Sequence, residues 1–164
     1  MISGTANFSP CGRYRYELTR SWDAKLPELL VVMLNPSTAD AAEDDPTIRR
    51  VVGFATSHGY GELRVVNLYA EIAVDPAALW QRDAVGPLND EVLRDRLVPR
   101  SLNGMPVLAA WGTSEWSRRR APAVLALVPG VNWHCLGTTK DGSPRHPLYV
   151  RASQLMIPFQ VPQP

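Results

Sequence analysis

The chain has 164 residues, 45% apolar and 20% charged, with a net charge of +1 and two cysteines. A chain of this length buries roughly 70% of its unfolded surface, so it needs no disulfide or metal, and 1–164 reads as one domain with a core over about 12–155 and a loose tail at 156–164. The balanced charge gives no basic field for nucleic acid, no run approaches the roughly 20 apolar residues of a membrane span, and the N-terminus lacks a signal-peptide pattern, so the expectation is a cytoplasmic protein without membrane contact or cofactor and with Cys11 and Cys135 as free thiols.

Along the chain, residues 12–20 alternate, with Tyr14, Tyr16 and Leu18 on one face and Arg13, Arg15, Glu17 and Thr19 on the other. That pattern predicts a half-exposed strand, paired in an N-terminal hairpin with the 5–10 segment. Leu29 to Leu34 is continuously apolar, as in a strand buried on both faces of a parallel sheet. Asp45 and Pro46 open a helix whose apolar stripe is Ile48, Val51, Val52 and Ala55, ended by Gly59. Leu63 to Leu68 predicts a strand, Asp75-Pro76 a short helix, and 83–88 irregular chain. Asn89 to Leu97 reads as helix, Pro106 to Ala110 as a strand, and Thr113 or Ser114 as the cap of a helix that exposes Arg118, Arg119 and Arg120. Val131 to Leu136 predicts the last core strand. Strands alternating with helices imply βαβ units, hence a mainly parallel sheet with helices on both sides. In such sheets the ligand site lies beyond the carboxyl ends of the strands.

Two polar knots stand at those ends. The first, Asn35-Pro36-Ser37-Thr38 with Asp40, Asp44 and Asp45, follows the first buried run. Asn35 precedes proline and is held extended; its carboxamide can offer donor and acceptor to a flat polar edge. Ser37 and Thr38 can donate to phosphate. The aspartates can activate water or hold magnesium, or Asp45 can simply cap its helix. Arg49, one turn into the helix, can face an anion or pair with Asp44 or Asp45. The second knot, Lys140-Asp141-Gly142-Ser143-Pro144-Arg145-His146-Pro147, offers an imidazole as proton shuttle or oxyanion donor and Arg145 and Lys140 as phosphate ligands. Asn67 ends a strand, and Trp111 and Tyr69 can stack on a base or belong to the core. His58 and His134 read as structural. No phosphate-binding P-loop, dinucleotide fingerprint, zinc-protease or serine-hydrolase motif is present.

The strings MLNPSTAD, DDPTIRR, VVNLYA, AAWG and GTTKDGSPRHPLYV together resemble the bacterial and phage domain-of-unknown-function family 1643, from Tyr14 to Val150. More distantly, Leu34-Asn35-Pro36, Ala110-Trp111-Gly112 and His146-Pro147-Leu148 are similar, in order and spacing, to three motifs of the uracil-DNA glycosylase superfamily. That resemblance implies a three-layer α/β/α sandwich around a four-stranded parallel sheet. It also implies that the first motif positions water and that the last enters the minor groove and steadies the leaving base.

These readings converge on a cleft for a nucleobase, nucleotide or DNA. Asn35 would position water or read the base, Asp40 or Asp44 would be the general base, and His146 would stabilise the departing base. Arg145, Lys140, Ser37, Thr38, Arg49, Asn67 and Trp111 would contact substrate. The alternatives are a non-catalytic binder of a nucleotide or modified base, and magnesium-dependent phosphoryl chemistry through Asp40, Asp44 and Asp45.

Overall fold

A computed structural model describes residues 2–80 and 83–161. In chain order the elements are β1 (Ser3–Phe8), β2 (Arg15–Ser21), β3 (Glu28–Met33), α1 (Pro46–Ser57), β4 (Glu62–Asn67), α2 (Asn89–Leu102), β5 (Pro106–Ala109), α3 (Glu115–Leu125), β6 (Asn132–Cys135) and β7 (Ile157–Pro158), with single 3₁₀ turns at Pro76–Trp80 and Pro147–Tyr149.

Among the described residues the strands form one seven-stranded sheet, ordered β1-β2-β4-β3-β5-β6-β7. The four apolar strands β4, β3, β5 and β6 are mutually parallel. The hairpin β1-β2 extends the sheet antiparallel beyond β4, and β7 pairs antiparallel with β6. The expected four-stranded sheet is therefore corrected to a mixed α/β sheet of seven. The apolar runs mark only the parallel strands; the flanking strands are polar or very short, and backbone pairing rather than hydropathy recruits them.

Alternation along β3 divides the core. Leu30 and Val32 face Leu93 and Leu97 of α2 and Ala121 and Val124 of α3. Leu29, Val31 and Met33 face Ile48, Val51, Phe54 and Ala55 of α1. Helices α1 and α3 begin where their cap chemistry places them. Asp45 Oδ1 accepts from Ile48 N at 2.8 Å, and Ser114 Oγ accepts from Ser117 N at 3.0 Å while Ser117 Oγ accepts from Ser114 N at 2.9 Å. Helix α2 runs past the expected Leu97 to Leu102, through Pro99. Beyond that proline Arg100 Nη2 meets Glu28 Oε1 at 2.5 Å, so tertiary pairing overrides the local preference to stop.

Strand β2 departs most from expectation. Two residues of its expected solvent face are covered, Arg15 at 3% and Glu17 at 7% exposed, and Arg20, which alternation puts on the other face, is 3% exposed. Glu17 accepts from Arg96 of α2 at 2.7 and 2.8 Å and from Arg64 of β4 at 2.7 Å. Burial opposes the Glu17 charge, but Arg96 and Arg64 outweigh it and hold the carboxyl below its usual range. The segment read as a loose tail starts with β7, and Phe159 is 7% exposed, edge-on to Trp111 at 6.0 Å. The three arginines of α3 are not a bare basic face: Arg118 pairs with Asp141, Arg119 with Glu115 and Arg120 with Asp90. No helix among the described residues is long and apolar enough to cross a membrane.

Candidate functional site

Because β3, β4, β5 and β6 are parallel, their carboxyl ends lie on one edge of the sheet. Asn35 follows β3, Asn67 closes β4, Trp111-Gly112 follows β5, and the chain after β6 returns at His146. Strand β2 runs the other way, so its first residue, Arg15, reaches the same edge. These groups line one cleft of about 420 Å³, together with Ser37, Asp45, Thr47, Arg145, Leu148 and Tyr149.

The cleft gathers some of the expected residues and leaves others outside. Asn35 lines it, but its Nδ2 donates to Pro36 O and Ala73 O, each at 2.8 Å. The carboxamide fastens two loops and retains Oδ1 as an acceptor, rather than offering a donor–acceptor pair. Asn67 is 2% exposed and lines the cleft with a side chain that makes no hydrogen bond among the described residues. Its backbone carbonyl is held by Asn89 Nδ2 at 3.0 Å. Ser37 and Arg145 line the cleft; Arg145 Nε donates to Thr138 O at 3.1 Å. Trp111 contributes a wall. It is 4% exposed and makes a T-shaped contact with Trp133, ring centroids 5.9 Å apart, so most of the ring is buried. Tyr69 is core, its hydroxyl donating to Trp116 O at 3.1 Å.

The two carboxylates expected to act as base are engaged elsewhere. Exposed Asp40 accepts from Ala42 N at 2.7 Å and Glu43 N at 2.8 Å. Those amides, Glu43 first and then Ala42, hold its carboxyl below the usual range, which weakens it as a base. Asp44 Oδ1 meets Arg20 Nε at 2.6 Å. Neither lines the cleft, nor do exposed Thr38, Arg49 or Lys140. Arg49 donates instead to Asp44 O. Lys140 rides a loop fixed by its neighbour Asp141, which accepts from Thr139 and Thr113 and is held well below the usual carboxylate range by them. The three aspartates do not share the cleft: Asp40 is exposed, Asp44 is held by Arg20 and Asp45 alone of them lines it, and no group of three His, Cys, Asp or Glu placed to hold a metal ion is found among the described residues.

His146 is fixed by its own turn. Nδ1 accepts from Leu148 N at 3.2 Å. An accepting Nδ1 places the proton of a neutral ring on Nε2, which becomes a donor. Burial pushes the imidazole below its ordinary pKa, opposed by the attraction of Asp45. Gly112, at φ 73°, lets the strand end lie against this ring: a Cβ there would sit 3.2 Å from His146 Cβ. The pH consequence has a definite sign. The unfolded chain protonates this ring as pH falls through about 6.5, the folded chain only lower, so between those values the unfolded state binds more protons and stability falls with pH. Thermal melts from about pH 7 to 5 should show this loss, and His146→Gln should flatten that part of the slope.

Two further contributors, Tyr149 and Arg15, were not anticipated as site residues, and Asp45 was expected either as a helix cap or as one of an acidic group. Asp45 is the carboxylate that lines the cleft. One of its oxygens caps α1, and its charge is felt by both His146 and Arg15. Tyr149 stands at the lip, 81% exposed, its ring centroid 5.7 Å from that of His146. Arg15 lines the cleft from β2; burial pushes its pKa down to about 10, against the pull of Asp45, which still leaves it cationic at neutral pH. Proximity to a His-Pro pair at a strand end could have pointed to Tyr149. Nothing in the alternation of β2 distinguishes Arg15 from its neighbours.

A protein-family model described as a protein of unknown function (DUF1643) matches residues 15–148, which span the sheet edge and every cleft residue named above except Tyr149. No curated protein and no solved structure matches the chain.

Proposed function

We propose that this chain, which belongs to the DUF1643 family of proteins of unknown function, receives a nucleobase in the strand-end cleft. The observation that carries this reading is Asn67, a carboxamide 2% exposed, lining the cleft, with no hydrogen-bond partner among the described residues. Its carboxamide is not among the side-chain atoms sealed from solvent, so it opens onto the cleft, where a planar donor–acceptor edge on a ligand can pair with it. A nucleobase presents such an edge. Asn35 Oδ1 adds an acceptor, Tyr149 a face on which a base can stack, and Met33 and Leu148 apolar contact.

The same cleft is equipped for hydrolysis of a glycosidic bond. Asp45 can take a proton from water, and His146 Nε2–H can donate to the charge that develops on a departing base. In support, the three segments that resemble uracil-DNA glycosylase motifs, around Asn35, Trp111 and His146, all line this one cleft. Asp45→Asn separates the two roles of Asp45, because asparagine caps a helix as well as aspartate does. Turnover should fall about 100-fold or more, with helix α1 and ligand affinity retained. Assays for abasic-site formation, on oligonucleotides carrying uracil, hypoxanthine and alkylated or otherwise modified bases, would read the turnover.

One observation favours a second reading, binding without chemistry: Asp45 Oδ1 is already occupied by the Ile48 amide. Thermal shift with a nucleoside and nucleotide panel separates the two. Stabilisation without base release supports binding alone, and indifference to the whole panel removes the nucleobase reading.

A further inference from the structure

Arg15 is the exception among the deeply buried arginines. Arg15, Arg20 and Arg100 are 3%, 3% and 9% exposed. Arg20 meets Asp44 at 2.6 Å and Arg100 meets Glu28 at 2.5 Å. Arg15 has no carboxylate within ion-pair reach among the described residues. Its Nη1 donates to Ala39 O, and its Nε is sealed from solvent without an acceptor. A guanidinium offers five N–H donors and cannot shed its charge in a protein. Removing such a cation from water is expensive unless an anion compensates it.

The surroundings of Arg15 suit an incoming anion. Arg15 opens onto the cleft, whose charged lining residues are Arg15, Arg145 and Asp45, leaving one positive charge in excess with His146 neutral. The hydroxyls of Ser37 and Thr47 line the same space. Helix α1, 12 residues long, begins there, and its dipole favours negative charge.

We propose that Arg15 anchors an anion subsite in the cleft and that the group it holds is the phosphate of a nucleotide. The proposal rests on the nucleobase reading for its choice of phosphate; the anion subsite itself stands on the unpaired guanidinium. An arginine fork binds phosphate through paired, charge-assisted hydrogen bonds, and a base seated against Asn67 would carry its phosphate on the same molecule. The phosphate can belong to a free nucleotide or to a nucleic-acid strand.

The test titrates the full chain at constant ionic strength with inorganic phosphate, with nucleosides and their 5′-monophosphates in matched pairs, and with a short single-stranded oligonucleotide. The proteins are the natural sequence, Arg15→Gln and Arg15→Lys. Phosphate should stabilise the natural protein saturably and leave Arg15→Gln unaffected. Monophosphates should bind about tenfold or more tightly than their nucleosides, and Arg15→Gln should erase that advantage while Arg15→Lys keeps part of it. Unliganded Arg15→Gln should melt at or above the natural protein, because an uncompensated charge has been removed; a purely structural arginine would lower it. Stronger Arg15-dependent binding of the oligonucleotide assigns the phosphate to a strand, and stronger binding of the monophosphate assigns it to a free nucleotide.

Equal affinity for nucleosides and monophosphates, with Arg15→Gln changing neither, overturns the subsite and leaves the nucleobase reading standing. Phosphate binding through Arg15 with no response to any nucleoside supports the subsite and overturns the nucleobase reading. If Arg15→Gln does not fold, the natural protein decides: equal binding of nucleoside and monophosphate, together with indifference to phosphate, overturns the proposal.

Discussion

Asn67→Leu should melt no lower than the natural protein and bind a nucleobase ligand about 10- to 100-fold more weakly. Both effects have one origin. The Asn67 side chain lies 2% exposed at the end of β4, with no partner for its carboxamide among the described residues. Leucine is similar in size and brings no polar group that needs satisfying, while the Asn67 backbone carbonyl keeps its bond from Asn89 Nδ2. Binding lost at no cost in stability is the mark of a group kept for a ligand rather than for the fold. Melting curves and a titration with the best ligand of the nucleotide panel measure the two. An Asn67→Leu variant that is less stable and binds as before would place Asn67 among the structural residues.

The second large effect concerns the wall that carries Asp45. Arg20 Nε meets Asp44 Oδ1 at 2.6 Å, and its Nη2 donates to Asp40 O at 2.5 Å and Glu43 O at 3.2 Å. One buried guanidinium thus fastens the 40–44 segment to β2. Gly4 of β1 makes room for it: a Cβ there would collide with Arg20 Nη1 and Ala41 O. Arg20→Met removes the cation and strands a carboxylate and two carbonyls. Breaking a buried pair from one side costs about 3–5 kcal/mol when both partners are sealed. Asp44 retains 20% side-chain exposure, so about 3 kcal/mol is expected, or roughly 6–12 °C in melting. Adding Asp44→Leu should recover part of the loss, because the unpaired charge goes with it. Ligand affinity should fall in the single variant as well, since the 40–44 segment leads directly into Asp45. Denaturant midpoints for the two single variants and the double variant give the coupling. A midpoint unmoved by Arg20→Met would mean that the loop is held by other contacts.

The parallel half of the fold was legible because buried strands have a plain signature. Leu29 to Val32 are apolar without interruption and are at most 1% exposed, and Asp45-Pro46 announces its helix through cap chemistry that is local. The same logic put Asn35, Ser37, Asn67, Trp111, Arg145 and His146 at strand ends, and these residues line the cleft. The antiparallel additions were harder to read. Alternation in β2 says only that two faces differ; it cannot say that α2 and the 40–44 segment cover the polar residues. Alternation therefore assigns Arg15 and Glu17 to solvent, and it gives no sign that Arg15 is the cation of the cleft. The acidic residues show the converse limit. Asp40, Asp44 and Asp45 are a cluster in sequence, yet backbone amides take Asp40, Arg20 takes Asp44, and only Asp45 lines the cleft. Which member of a charged cluster remains available is decided by partners far along the chain.

The central claim is that the Asn67 carboxamide waits for a ligand's polar edge. Its side-chain amide resonances, followed by NMR while a nucleoside and nucleotide panel is titrated into the full chain, test this directly. The expected result is a saturable shift of the Asn67 amide protons with at least one member of the panel, together with a shift at His146 and a smaller one at Asn35, whose amide protons are already bound to Pro36 and Ala73. A ligand that saturates elsewhere on the protein while the Asn67 and His146 resonances stay in place would contradict it.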